Sequence, residues 1–216
     1  MSNIIEEILR EKLIVIVRGV KGECLEPLCE ALYAGGAKFV EFTYGSPTMK
    51  DDTETAYWIG YIAKQFKDRM TVGAGTVTTT RQVERTYNAG GRFVISPNTD
   101  PEIIGLTKQF GLVSIPGALT PSEIVTADHA GADFVKLFPI STMGADYVKA
   151  IKAPLRNVRM LAVGGVNDTN MPDYFKAGVC GIGLGSNIIN MKLIEAGDYD
   201  GVTELTKKYV EKLKEF

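Results

Sequence analysis

From Leu13 to its last residues the chain alternates short apolar runs with longer amphipathic ones, and glycine, proline or a capping residue stands at most joins. Few folds accept such a pattern. Continuous apolar runs suit strands buried on both faces, as in a parallel sheet covered by helices. A short helix opens at Asn3, with Glu6 completing a capping-box variant and Ile4, Ile5, Ile8 and Leu9 on one face. Strand Leu13–Val17 follows, then helix Cys24–Tyr33 stopped at Gly35-Gly36, strand Phe39–Thr43, helix Glu54–Phe66 and strand Met70–Thr76. Helix Arg81–Asn88 stops at Gly90-Gly91, before strand Phe93–Pro97, helix Pro101–Phe110 and strand Val113–Gly117. Helix Pro121–Ala130, strand Asp133–Pro139, helix Gly144–Ile151, strand Arg159–Val166, helix Thr169–Ala177 and strand Gly181–Ser186 complete the series. A closing helix, capped by Asp198 or Asp200, places Val202, Leu205, Tyr209, Leu213 and Phe216 on one face.

Eight strand–helix units predict an α/β fold: a (β/α)8 TIM barrel forming a single domain over residues 1–216, with an additional N-terminal helix. A doubly wound open sheet is the alternative, because alternation does not distinguish closure from an open edge. No linker, low-complexity stretch or block of like charge marks a domain boundary.

Composition narrows the partners. A net charge of −2 gives no pull toward nucleic acid or an anionic membrane, and no apolar run approaches the length of a membrane span. Cys24, Cys29 and Cys180 are too scattered for a disulfide framework or a zinc site, and the N-terminus lacks the pattern of a secretion signal. A cytoplasmic protein is expected. His129 is the only histidine, which excludes a multi-histidine metal site. Its place near a helix C-terminus suits a structural role.

One strand breaks its own pattern. In Asp133-Phe134-Val135-Lys136-Leu137-Phe138-Pro139 a lysine stands among apolar residues. Lysine is almost never buried unless it is paired or used. It can snorkel to water from a strand end. Alternatively it is a desolvated amine, held partly neutral and nucleophilic. Barrel active sites lie at the C-terminal strand ends, so reactive side chains there are candidates for chemistry. Those ends offer Arg18 on the first strand, Glu41 within the second, Thr76 after the third, Ser96-Pro97-Asn98 on the fourth, and Lys136 on the sixth. Gly164-Gly165 and Gly185-Ser186 close the seventh and eighth, where barrels often bind phosphate through backbone N–H groups and a following helix N-terminus. Glu41 and Lys136 can equally form a buried ion pair, although desolvation makes such pairs weak stabilisers. Tyr57 and Trp58 read as core or oligomer contacts. The charged run Lys50–Glu54, within residues 47–55, reads as acids at a helix start, with a lid over the active face as the alternative.

Taken in order, Val40-Glu41-Phe42-Thr43, Gly73-Ala74-Gly75-Thr76-Val77, Ile95-Ser96-Pro97, Ile115-Pro116-Gly117, Lys136-Leu137-Phe138-Pro139, Val163-Gly164-Gly165 and Leu184-Gly185-Ser186 resemble the class I 2-keto-3-deoxy-6-phosphogluconate and 4-hydroxy-2-oxoglutarate aldolases. The resemblance runs through nearly the whole chain. It implies Lys136 as Schiff-base lysine and Glu41 as general acid and base. It implies Arg18 and Thr76 around the substrate carboxylate with Pro97 beside them, and Gly164, Gly165, Gly185 and Ser186 at the phosphate. It further implies a homotrimer that needs neither metal nor organic cofactor. Where many gluconate enzymes carry Leu-Arg-Thr, this chain has Tyr44-Gly45-Ser46, and Val163 stands where they often carry threonine. Arg18, Ser46-Pro47 and Ala162-Val163-Gly164-Gly165 are closer to the phosphogalactonate branch.

The expected reaction is reversible cleavage of a 2-keto-3-deoxy-6-phospho sugar acid to pyruvate and D-glyceraldehyde 3-phosphate. The alternatives are cleavage of 4-hydroxy-2-oxoglutarate to pyruvate and glyoxylate, a phosphosugar isomerase or epimerase with Lys136 only an electrostatic stabiliser, and a non-catalytic sugar-acid sensor.

Overall fold

The computed structural model describes residues 2–216, without the side chains of Ser2 and Asn3. Its strands are β1 (Leu13–Val17), β2 (Phe39–Thr43), β3 (Thr71–Gly75), β4 (Phe93–Ile95), β5 (Val113–Ile115), β6 (Gly117–Ala118), β7 (Val135–Leu137), β8 (Met160–Val163) and β9 (Gly181–Leu184). All pair in parallel, in the order β5-β4-β3-β2-β1-β9-β8-β7-β6. Only Pro116 separates β5 from β6, so the two ends of the sheet are halves of one strand and the sheet returns upon itself. The residue without a backbone N–H sits where pairing passes from β4 to β7. This rules out the open doubly wound sheet.

Parity decides what each strand residue does. Val15, Val40, Val72, Val94, Val135, Ala162 and Ile182 belong to the outer core beneath the helices. Ile14, Phe39, Phe93, Val113, Phe134 and Leu161 fill a separate inner core, together with Ile4 and Ile8 of α1 (Ser2–Glu11). The N-terminal helix thus plugs the bottom of the barrel. Both cores are dry, which is why the strands are apolar at every position rather than at alternate ones. The predicted capping role of Asn3 lies outside the described side chains; the helix already begins at Ser2.

The surrounding helices are α2 (Leu25–Ala34), α3 (Asp52–Gln65), α4 (Thr80–Asn88), α5 (Pro101–Gln109), α6 (Pro121–His129), α7 (Gly144–Lys152), α8 (Met171–Ala177), α9 (Met191–Glu195) and α10 (Tyr199–Leu213). Their starts are chemically specified. Asp51 accepts from the N–H groups of Thr53 and Glu54, and Asp100 from those of Glu102 and Ile103. Thr79 with Gln82 and Thr120 with Glu123 form full capping boxes. Each such cap is worth about 1 kcal/mol. Asp198, not Asp200, caps α10. Beyond its end Phe216 is 38% exposed and stacks on Phe175, while within it Thr206 takes the buried place expected of Leu205. Tyr57 is 61% exposed, so it is no core residue, whereas Trp58 lies half-buried against Gly22.

No helix among the described residues is long and apolar enough to cross a membrane.

Candidate active site

At the C-terminal mouth of the barrel lies a cavity of about 580 Å³. Arg18, Glu41, Thr76, Pro97, Lys136, Gly164, Gly165, Gly185 and Ser186 all line it. These nine predicted residues therefore face one space, contributed by the ends of β1, β2, β3, β4, β7, β8 and β9, whereas Ser96 and Asn98 do not line it.

Lys136 points inward because Phe134, two residues earlier, does so, while Val135 and Leu137 pack outward. It is 7% exposed. The snorkelling alternative fails on that burial. Its ammonium lies 4.5 Å from the centroid of the Phe138 ring. Desolvation holds the Lys136 pKa below the ordinary lysine value; Glu41 opposes that shift and the positive charge of Arg18 adds to it. Glu41 is 2% exposed and its pKa is raised, first by desolvation, with Lys136, a hydrogen bond from Thr43 and Arg18 pulling the other way. Both partners thus lean toward their neutral forms. A neutral amine is a nucleophile and a protonated carboxyl is an acid, so desolvation prepares the pair for addition to a ketone.

Thr43 donates to Glu41 Oε1 at 3.4 Å, whereas Oε2 has no partner among the described residues and lies buried. An unpaired buried acceptor costs about 1–3 kcal/mol. That cost is removed when something with a proton to share enters the cavity. Thr76 carries a second strain. It is β-branched yet adopts φ 53°, a left-handed conformation that such residues rarely take. Strain of this kind collects at functional sites and is held there by the surrounding packing.

Next to the lysine strand, Gly164 (φ 89°) and Gly165 (φ 78°) turn the chain after β8, which pairs with β7. The expected helix N-terminus is displaced: α8 begins only at Met171. After β9 the chain makes one tight turn, with the N–H groups of Ile188 and Ile189 bonded to the Gly185 carbonyl, before α9 begins at Met191. Loop amides stand there instead. The N–H groups of Gly165, Val166, Ser186 and Asn187 form no hydrogen bond among the described residues, and all four residues line the cavity. Free amides around one cavity suit an anion.

Ile16, Thr43, Phe138, Asn187, Ile189 and Met191 also line the cavity but went unpredicted. Thr43 and Phe138 were within reach of the sequence, since each lies two residues from a recognised inward group. Asn187, Ile189 and Met191 come from a loop with no periodicity to read. His129 ends α6, exposed, and is not part of the cavity. The Lys50–Glu54 run starts α3 through the Asp51 cap and a 2.6 Å hydrogen bond from the Lys50 N–H to Glu54, as acids at a helix start would.

A closed parallel barrel with a buried acid and amine in its mouth defines an enzyme of the barrel aldolase class. The family model of KDPG and KHG aldolase matches residues 4–205. The chain belongs to that family. It is 39% identical over 191 residues to a probable 2-dehydro-3-deoxy-6-phosphogalactonate aldolase of Rhizobium meliloti, covering 88% of this chain and 87% of the relative. It is 34% identical over 204 residues to the KHG/KDPG aldolase of Escherichia coli K12, covering 93% and 91%. Among solved structures it resembles KDPG aldolase from Legionella pneumophila with pyruvate captured as a covalent carbinolamine (TM-score 0.83, 29% identity, 92% and 93% covered).

Proposed function

We propose that this aldolase cleaves a 2-keto-3-deoxy-6-phospho sugar acid to pyruvate and D-glyceraldehyde 3-phosphate through an imine on Lys136. The observation that carries the reading is the buried acid and amine, each shifted toward neutrality, in one cavity with free loop amides after β8 and β9.

Neutral Lys136 adds to the C2 ketone, and protonated Glu41 delivers its proton to the departing hydroxyl, so water leaves and an iminium forms. That cation is the electron sink for the C3–C4 bond. Glu41, now a carboxylate, takes the C4 hydroxyl proton as the bond breaks and the aldehyde departs. The enamine left on Lys136 is protonated at C3 and hydrolysed to pyruvate. Arg18 offers a bidentate fork to the carboxylate, with Thr76 and Pro97 beside it. Gly164, Gly165, Gly185 and Ser186 hold the phosphate through backbone amides.

The relative from Escherichia coli carries both KHG and KDPG in its name. Cleavage of 4-hydroxy-2-oxoglutarate would use the same pair and leave the loop amides without a phosphate, so the phosphorylated substrate is favoured. Val163 lines the cavity and offers no hydroxyl to read a C4 configuration, which together with the relative from Rhizobium meliloti favours the galactonate epimer. A cytoplasmic homotrimer accords with the family resemblance and the three free cysteines.

Borohydride reduction in the presence of pyruvate tests the chemistry: mass spectrometry is expected to place the adduct on Lys136. An enzyme that turns over substrate without any adduct would be an isomerase, an epimerase or an aldolase of another type. Pyruvate release from the gluconate and galactonate epimers, compared side by side, tests the substrate; equal rates refute the assignment based on Val163.

A further inference from the structure

Arg18 is exposed, and nothing among the described residues hydrogen-bonds or ion-pairs with its guanidinium. A long, free side chain is poorly suited to hold a carboxylate in one orientation. The backbone that follows it, by contrast, is fastened. The Gly19 N–H donates to Ser46 Oγ at 3.0 Å, Ser46 Oγ and Thr48 Oγ1 lie 3.0 Å apart, and Thr48 Oγ1 donates to the Val20 carbonyl at 2.9 Å. Because the Thr48 proton goes to Val20, the Ser46 hydroxyl must donate to Thr48. Each hydroxyl then accepts one bond and donates one, and the relay runs in a single direction from Gly19 to Val20. Such chains strengthen each member.

The relay joins the loop after β1 to the loop after β2. It therefore locks Arg18 to the strand that carries Glu41 and Thr43. Ser46 is 6% exposed, so its bonds do not compete freely with water. Gly19, Val20, Ser46, Met49, Thr55 and Trp58 line a cavity of about 10 Å³, room for no more than about one water. At the loop's far end the Trp58 ring occupies the space a side chain on Gly22 would need, with Cε2 2.5 Å from a Cβ built there. The loop is clamped by hydroxyls at one end and by the indole at the other.

We propose that Ser46 and Thr48 are positioning residues that orient Arg18 toward the substrate carboxylate by fixing the backbone of the loop behind it. The inference rests on Arg18 gripping that carboxylate as proposed above. Neither hydroxyl touches substrate; each acts through Arg18.

The test is a double-mutant cycle of Thr48→Val with Arg18→Ala, read as KM and kcat for the keto acid. Thr48→Val alone is expected to raise KM about 5- to 10-fold, the scale of one lost hydrogen bond, with kcat changing less than about 3-fold. Thr48→Ser keeps the hydroxyl and restores KM to within about 2-fold of the parent. In the Arg18→Ala background Thr48→Val adds nothing, because the group it positions is gone. Trp58, the only tryptophan, reports the loop directly, and its emission shifts in Thr48→Val but not in Thr48→Ser. If Thr48→Val does not fold, Ser46→Ala, which removes the first hydroxyl of the relay and no methyl, takes its place in the cycle. An unchanged KM, or an effect of the same size with and without Arg18, overturns the proposal. Pyruvate trapping on the parent separates the two readings: trapping with an unchanged KM sinks the positioning role alone, whereas no trapping removes the reading beneath it as well.

Discussion

The carboxylate of Glu41 occupies the space in which a side chain at position 75 would begin. A Cβ built on Gly75 overlaps Oε1 and Cδ of Glu41 and comes within 2.7 Å of its Cγ. Gly75 ends β3 beside Thr43, so the glycine is there for room on the neighbouring strand and not for a turn. The sequence left this open, since a glycine in Gly73-Ala74-Gly75 serves equally as a bend. Gly75→Ala is expected to displace Glu41 and to lower kcat about 100-fold, the scale of a 1 Å misplacement in an active site. The barrel should still form, because the clash is with the end of a side chain at the mouth. Steady-state kinetics and a melting curve check this; full activity would show that Glu41 has no fixed working position.

The charges around Lys136 make a directional prediction. Arg18 lowers the lysine pKa and Glu41 raises it. The amine must be neutral to react, so trapping falls as pH drops through its pKa. Arg18→Gln removes a lowering influence, and its acid limb should move to higher pH. Glu41→Gln removes a raising influence, and its limb should move to lower pH. Rates of borohydride trapping with saturating pyruvate report the limb independently of carbon–carbon cleavage. Limbs that move the same way in both variants would refute the electrostatic account.

Much of this was legible because a parallel barrel writes its geometry into parity. The sequence predicts Leu13–Val17 and Phe39–Thr43 with their observed bounds, since five consecutive apolar or inward residues admit little else. Lys136 and Glu41 stood out because each interrupts a dry interior. What the sequence hid lies where the chain stops being periodic. The fourth, sixth and seventh predicted strands end earlier than expected, at Ile95, Leu137 and Val163, because beyond them the residues turn to form the mouth. The fifth is interrupted at Pro116, and α9 lies in a stretch too short for a helical period to register. The Ser46–Thr48 relay was invisible because its partners are backbone atoms 27 and 28 residues away.

The loop after β8, beside the lysine strand, should affect one end of the substrate only. Gly165 has φ 78°, and a Cβ there would meet Ser141, with Oγ at 2.5 Å. Gly165→Ala is therefore strained in backbone and crowded in space, and the amides of Gly165 and Val166 would shift. KM for the phosphorylated acid should rise about 10-fold or more, while pyruvate trapping on Lys136 stays at the parent rate, because pyruvate carries no phosphate. Equal loss of both would mean that the loop supports the lysine and not an anion.

The acid–amine pair should cost the protein stability in a pH-dependent way. Lys136 has a folded pKa below its ordinary 10.5, so between the two values the unfolded chain holds a proton the folded chain has released. Stability rises with pH across that window, and the penalty is full below it. Glu41 has a folded pKa above 4.5, so between those values the folded chain keeps a proton the unfolded chain has lost. Stability falls with pH across that window, and the penalty is full above it. Near neutrality both penalties apply. The double variant Glu41→Gln/Lys136→Met should then be inactive but more stable by about 1 kcal/mol or more, because two desolvated ionisable groups give way to uncharged residues of similar size. Its advantage in urea unfolding should be largest near neutral pH and shrink below pH 4.5 and above pH 10.5, where one penalty at a time disappears. A double variant no more stable than the parent at neutral pH, or an advantage that does not vary with pH, would mean that the pair is held for structure and not strained for chemistry.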